Sequence, residues 1–445
     1  MKDYLFSSYK VLYKVFSKKA FSTLELSREV SNLKEHKAIV TKITYGVIEQ
    51  DIKNTYIIQS LAKKVKDLPV MIVLKIGAYC LLNMDNLPAY AVVNECVKLC
   101  KKLKFASASG LVNAVLKKIS LNEFALPSKS NKHKYLSITY SKPMWFVEKM
   151  ISDYGLEFAE NMLSHKLDPF TTVRVNQAKI HTTQFKTLLT NAGVAYNETF
   201  FDDALSVDFA KLVNIQNLHG LYTIQNLGSM IVCRMAQIAE GDKILDCCAA
   251  PGGKSVYLAM LNEKGTVESW DIHEHRVELV NKYAQSQGVT NIQTKVYDAT
   301  ILDASKVEQY DIVVCDVPCS GLGVVSSKPD ILLNKKPEDI VELAKIQQSI
   351  LQTCSNYVKP GGQLIYSTCT ITKDENQNNI KSFLASNPNF KVELKDFDSF
   401  QYIQDDYGLT TFPHISGIDG FFVSRMIKND WYFKFNPRRN NRYNE

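Results

Sequence analysis

The chain has 445 residues, 45% hydrophobic and 22% charged, which excludes a disordered polymer and gives a length prior of roughly three domains. Its formal net charge of +7 hides an asymmetry: residues 1–150 carry 25 Lys and Arg against 11 Asp and Glu, a net of +14, while residues 151–445 carry 28 against 35, a net of −7. The most apolar stretch, 70–82, is short of the ~18 residues that span a bilayer and contains Lys75, and the start lacks a signal-peptide core, so the sequence reads as cytoplasmic with no membrane partner.

Residues 1–130 read as an all-α bundle. Ser22-x-x-Glu25 has the pattern of a capping box, Ile39, Ile43 and Val47 repeat at helical spacing, and 55–65, 70–82 and 90–103 continue the habit. Turn formers and charge over 127–134 predict a linker. Lys101, Lys102, Lys104, Lys129, Lys132 and Lys134 concentrate cations at this end, a candidate RNA-binding surface; for any one of them a solvated helix face competes as an explanation. Residues 131–222 suggest a small α+β connecting domain, with a long helix over 145–166, a strand over 171–176, a helix over 184–192 and strands near 194–201 and 205–209.

Residues 223–430 alternate strand and helix. Strands are predicted at 243–247, 266–271, 292–298, 311–316 and 363–368, helices at 254–261, 274–288, 337–358 and 374–386. This is the pattern of a Rossmann-like α/β domain with a parallel, doubly wound sheet, where ligands bind beyond the carboxyl ends of the strands. Residues 431–445 form a basic tail with Arg438, Arg439 and Arg442.

After the first of these strands comes Asp246-Cys-Cys-Ala-Ala-Pro-Gly-Gly-Lys-Ser255. Its small residues allow backbone to approach a ligand, and the next helix offers an N-terminus. A phosphate-binding loop would need a glycine where Cys248 stands, and the dinucleotide glycine pattern is absent too. The next strands end in Asp271, suited to a ribose diol, and Asp298, suited to an exocyclic amine. Acidic strand ends behind a glycine loop without a phosphate signature favour a phosphate-free nucleoside, and S-adenosyl-L-methionine fits.

The last two strands run into Asp316-Val-Pro-Cys319-Ser-Gly and Ser367-Thr-Cys369, placing two thiols in adjacent strand-end loops. The ten cysteines have no zinc-finger spacing, so no metal is expected, and Cys247, Cys248 and Cys354 read as packing residues, with the Cys248 backbone within reach of a cofactor. A thiolate beside a methyl donor has a specific use: adding to carbon 6 of a pyrimidine, it makes carbon 5 nucleophilic. Asp316 is suited to hydrogen-bond the pyrimidine ring at such a site.

These motifs resemble the RNA 5-methylcytosine methyltransferases. Gln225–Ser229, Lys328-Pro-Asp330, Gln347, Lys359-Pro-Gly-Gly362, Glu375-Asn376 and Asp419-Gly-Phe-Phe422 follow in the same order. Tyr90–Lys98 and Ser109–Lys117 resemble a NusB-like RNA-binding domain, and Arg174-Val-Asn176 more weakly matches a connecting RNA-binding segment. Together they are similar to the ribosomal RNA small subunit methyltransferase B, or Sun/Fmu, family over essentially the whole chain. The resemblance implies a monomeric enzyme acting on 16S rRNA at cytosine 967. It implies Cys369 as nucleophile, Cys319 as the group that resolves the covalent adduct, and Cys248, Ala249, Ala250, Pro251, Gly252, Gly253, Lys254, Asp271, Asp298 and Asp316 as the S-adenosyl-L-methionine site. Asn226 stands where relatives commonly carry Asp, and Ser326-Ser327 where basic residues often precede Lys-Pro-Asp. Three readings compete: the same chemistry on another RNA such as tRNA, a DNA cytosine methyltransferase using the Cys of the Pro-Cys pair, and an RNA-binding assembly factor with an inert catalytic fold.

Overall fold

The computed structural model describes residues 3–168 and 170–429; the tail arginines Arg438, Arg439 and Arg442 lie outside them. The chain divides into two compact units, one comprising residues up to Ser164 with Ser327–Pro337, the other 165–326 with the chain from Glu338 on.

The first unit is helical. Leu68–Asn83 is apolar around most of its circumference, so it is buried on all sides, with Val70, Ile72, Val73, Leu74 and Ile76 at 0–2% exposure. Asp3–Lys18, Lys37–Glu49, Ala89–Lys102 and Ser109–Ser120 turn their apolar stripes onto that core. Gly77 lets Ser109–Ser120 approach closely: a Cβ there would lie 2.6 Å from Leu116. The core lysine, Lys75, reaches the Asp51 carboxylate and lies 4.7 Å from the Phe16 ring centre, so its charge is compensated rather than bare. Ser327–Pro337 joins this unit through Leu333 and through Asp330, whose Oδ2 accepts the Ser22 N–H at 3.1 Å.

That bond overturns the expected capping box. Phe21, not Ser22, is the N-cap of Ser22–Ser31 and makes no side-chain cap bond, while Glu25 turns instead to Lys14 and Arg28 at 2.6 and 2.8 Å. Two further expectations change. The linker ends at Asn131, whose side chain caps the helix Lys132–Thr139 by accepting the Lys134 N–H, so Lys132 and Lys134 are helical. The single helix over 145–166 is two, Met144–Tyr154 and Leu156–Ser164, broken at Gly155 with φ +86°.

In the second unit, strands β1 (Thr171–Val175), β2 (Tyr196–Glu198), β3 (Ala204–Val207) and β4 (Tyr222–Ile224) form an antiparallel sheet in the order β2-β3-β1-β4. The helix Thr182–Asn191 covers it with Phe185 and Leu189. The large sheet follows: β5 (Lys243–Asp246), β6 (Thr266–Asp271), β7 (Ile292–Val296), β8 (Tyr310–Asp316), β9 (Val358–Thr368), β10 (Phe390–Val392), β11 (Ile403–Gln404), β12 (Leu409–Thr410) and β13 (Phe422–Lys428). Its order is β11-β12-β13-β9-β8-β5-β6-β7, with β10 on β13.

Strands β5 to β9 are parallel, as the alternation predicts, but β13 runs antiparallel to β9, so the sheet is mixed. Strand β13 escapes an apolar-run reading because Arg425 interrupts it; the guanidinium is buried and bonded to Gln363 and to the Glu393 carbonyl, both at 2.7 Å. Chain order reverses between β5 and β8, and the ends of those strands frame the crevice where such sheets take ligands.

Candidate active site

Strand β5 ends in Asp246, fully buried, with Ser255 Oγ donating to it at 2.6 Å. Burial pushes this carboxyl up to about 7, against the lowering effect of the Ser255 bond. The loop then folds over the strand edge, and Gly252, at φ +110°, caps the helix Gly253–Leu261. A Cβ on Gly252 would meet the Val280 backbone at 3.1 Å, whereas one on Gly253 would have nothing nearer than Gln225 Nε2 at 4.0 Å. Gly252 is therefore needed for packing, and Gly253 leaves the start of the helix open to a ligand.

Asp271 ends β6 and is buried. Its oxygens accept the Ala250 and His273 N–H groups at 3.3 and 3.2 Å, with Arg276 at 3.5 Å. It thus anchors the loop that carries Ala249, Ala250 and Pro251, and its remaining lone pairs are suited to a diol. Asp298, half-buried, accepts both the N–H and the hydroxyl of Thr300 on Oδ1, a turn in which Oδ2 takes no part. Asp271 beside the glycine loop and Asp298 beyond the next strand, with no phosphate cradle, are groups that suit a nucleoside sulfonium such as S-adenosyl-L-methionine.

Beside this crevice Lys254 Nζ donates to Asp316 Oδ2 at 2.6 Å, and Ser367 Oγ donates to Asp316 Oδ1 at 2.7 Å. Burial alone would lower the Lys254 ammonium, but Asp316 outweighs it and holds it up to about 12. The two predicted thiols meet: Cys319 Sγ and Cys369 Sγ are 3.3 Å apart, both half-buried. The hydrogen bond to Cys369, then burial, then the negative charges of Glu375 and Asp316 push the Cys319 thiol well up. The two sulfurs are within hydrogen-bonding distance, and Cys369 adds to the causes that raise the Lys254 ammonium.

Close backbone packing holds these loops together. The Gly323 N–H donates to the Cys369 carbonyl at 3.0 Å, and a Cβ on Gly323 would collide with the Gly420 carbonyl at 2.0 Å. Asn226 caps the helix Leu227–Met235 by accepting the Gly228 N–H and donates to Asp419 Oδ2 at 2.7 Å. An aspartate at 226 would set two carboxylates against each other, which explains the amide in this chain.

Sequence reasoning left Ser367 and Glu375 without roles, although both lie inside motifs it singled out. It gave no sign that Cys247, Cys315 and Cys354 gather in the core with sulfurs within 4.8 Å of one another, because they come from three separate elements. The six candidate lysines are all exposed on the helical unit. Lys102, Lys129 and Lys134 lie 3.8, 5.6 and 5.7 Å from the ring centres of Phe6, Tyr135 and Tyr56, and Lys132 pairs with Glu160 at 3.6 Å. Lys328, in the Lys-Pro-Asp motif, belongs to the helical unit rather than to the thiol loops.

Residues 234–427 match the 16S rRNA methyltransferase RsmB/F model, 7–121 the NusB family and 142–214 the ferredoxin-like domain of RsmF/B-like methyltransferases. The probable ribosomal RNA small subunit methyltransferase B of Bacillus subtilis is 31% identical over 94% of this chain and 97% of its own length. The ribosomal RNA small subunit methyltransferase B of Shewanella oneidensis is 28% identical over the same shares. A solved methyltransferase homologue from Pyrococcus horikoshii, 22% identical, shares the fold over 67% of this chain and 99% of its own with a TM-score of 0.58. Strand-end carboxylates, a paired thiol site and full-length similarity agree, and the chain belongs to the ribosomal RNA small subunit methyltransferase B family.

Proposed function

We propose that this protein methylates carbon 5 of a cytosine in small-subunit ribosomal RNA, cytosine 967 of 16S rRNA, with S-adenosyl-L-methionine as methyl donor. The observation that carries the reading is the pair of thiols 3.3 Å apart beside the Lys254–Asp316 ion pair. S-adenosyl-L-methionine, when bound, supplies an electrophilic methyl group; the residues suited to hold it are 248–254, Asp271 and Asp298, with Asp316 at the edge towards the base.

Cys369 is the nucleophile. Its thiolate adds to carbon 6 of cytosine, which raises electron density at carbon 5. Lys254 stabilises the thiolate, and Asp316 binds the base edge and favours a protonated N3. Cys319 acts after methylation: with Cys369 bonded to carbon 6 and no longer holding it, Cys319 gives its proton to solvent and as a thiolate takes the carbon-5 proton; the electron pair of that bond restores the 5,6 double bond as the carbon-6–sulfur bond breaks and Cys369 leaves as a thiolate.

The test is one denaturing gel with RNA, S-adenosyl-L-methionine and two variants. Cys369→Ala is expected to give neither 5-methylcytosine nor a protein–RNA adduct; Cys319→Ala is expected to attack RNA and release it poorly, leaving an adduct that survives denaturation. The reverse pattern, an adduct lost in Cys319→Ala and kept in Cys369→Ala, would assign the nucleophile to Cys319. Bisulfite mapping of ribosomal and transfer RNA from cells with and without the gene identifies the target cytosine.

A further inference from the structure

We propose that Glu375 is a positioning residue for the thiol pair: its carboxylate ties the loop carrying Cys319 to the loop that follows Cys369 and so sets the distance between the two sulfurs. The proposal rests on the reading of those thiols as the reacting groups.

Glu375 is completely buried. An ionised carboxylate in such a place is expensive unless its lone pairs are filled, and here they are. Oε1 accepts the Ser320 N–H at 2.8 Å and Gln347 Nε2 at 3.0 Å; Oε2 accepts Ser320 Oγ at 2.5 Å and Thr372 Oγ1 at 2.8 Å. Ser320 adjoins Cys319, and Thr372 lies three residues beyond Cys369. Gln347, from the helix Pro337–Cys354, also donates to the Pro318 carbonyl at 2.9 Å, so one amide holds both the carboxylate and the start of the Cys319 loop. A second tie runs between the loops directly, Ser320 Oγ to Thr370 Oγ1 at 2.8 Å. The base of the clamp is fixed as well: Tyr366 Oη on β9 donates to the Glu375 carbonyl at 2.6 Å, and Asn376 donates to the Thr370 carbonyl at 3.0 Å.

The donors named here are neutral, and a carboxylate acceptor makes stronger bonds with such donors than a neutral acceptor does. The acceptor joins two loops that otherwise hang from different strands, β8 and β9. A loose clamp would let the thiols separate while leaving the cofactor loop, which hangs from β5, untouched.

Three variants and two readouts test this. In Glu375→Gln the side chain keeps its length, and the Ser320 and Thr372 hydroxyls can turn to accept from the new amide. Activity within several-fold of wild type is expected there. Glu375→Ala removes the acceptor for all of these donors. Its kcat should fall about tenfold or more, since a misplacement of ~1 Å at reacting groups costs on the order of 10²-fold, with KM for S-adenosyl-L-methionine within about twofold.

The second readout is the rate at which diamide joins Cys319 to Cys369, followed by peptide mass spectrometry. The azo reagent takes both thiol hydrogens and becomes the hydrazine while the S–S bond forms, so the rate reports how often the sulfurs meet. It should be slower in Glu375→Ala and near wild type in Glu375→Gln. If Glu375→Ala does not fold, Thr372→Val removes a single donor and should move both readouts the same way by a smaller amount. A folded Glu375→Ala protein that closes the disulfide at the wild-type rate overturns the proposal. The disulfide readout requires no methylation, so the loss of the Cys369 mechanism would leave the clamp separately testable.

Discussion

The two units use charge in opposite ways. In the helical unit the candidate lysines are exposed, spread over helix ends and a linker, and several rest over aromatic rings. At the strand ends of the α/β unit, charges are few and confined: Asp246 and Asp271 are buried, and Asp316 has both oxygens engaged. A polyanion is held by the density of positive charge and tolerates lysines that move. Covalent chemistry on one carbon needs groups fixed in place before the substrate arrives. Under the proposed function this difference divides capture from reaction, and substitutions in the two units should fail in different ways.

The largest effect is expected at Asp316→Asn. Lys254 loses its counter-ion and the base edge its charged acceptor, so kcat should drop on the order of 10²–10⁴-fold, the range for a positioned acid or base. Filter-binding affinity for RNA should stay within about threefold; a large loss of RNA affinity with normal turnover would erase the separation of roles.

Next is Asp271→Ala. Calorimetry should show S-adenosyl-L-methionine binding weakened by about 1–3 kcal/mol, the range for leaving polar partners unpaired. Because Asp271 also holds the Ala250 N–H, part of that loss should come from the loop. Equal affinity in variant and wild type would make Asp271 a structural turn only.

A smaller and more diffuse effect is expected in the helical unit. Replacing Lys101, Lys102, Lys104 and Lys129 with Ala should reduce the slope of log affinity against log salt by about 0.7 for each phosphate of single-stranded RNA that is no longer neutralised. The turnover of saturated enzyme should be unaffected. An unchanged slope would move the RNA surface elsewhere.

How far the molecule was legible follows the same divide. The parallel core could be read because short apolar runs alternate with helices and three of its strands end in an acidic residue, at Asp246, Asp271 and Asp316. Strand β13 could not, because Arg425 is buried through partners, Gln363 and Glu393, remote in sequence. The Ser22-x-x-Glu25 pattern misled for a related reason: Asp330, more than 300 residues away, takes the Ser22 N–H, and two cations draw Glu25 off. The identities of the two thiols were visible in their motifs, but their approach to 3.3 Å was not. It arises from ties between the folded loops, Ser320 to Glu375 and to Thr370 and the Gly323 N–H to the Cys369 carbonyl.

The subtlest expected effect concerns stability and tests whether the confined charges carry a penalty that the exposed ones do not. Burial raises Asp246 to about 7, whereas an aspartate in the unfolded chain titrates near ~3.9. The native state therefore binds the more protons between those values, and this group's stabilising contribution is complete below about pH 4 and lost as pH rises through about 7. That is the reverse of a salt-bridged surface aspartate. Urea unfolding of the wild type from pH 4.5 to 8 should include a downward contribution of at most about 1.4 kcal/mol per pH unit from this group. Asp246→Asn, which keeps the shape and the Ser255 contact, should remove that contribution and become more stable relative to wild type as pH rises. If the two proteins change in parallel across the range, Asp246 is ionised at neutral pH in the folded state, and the strand-end charges are better solvated than their burial implies.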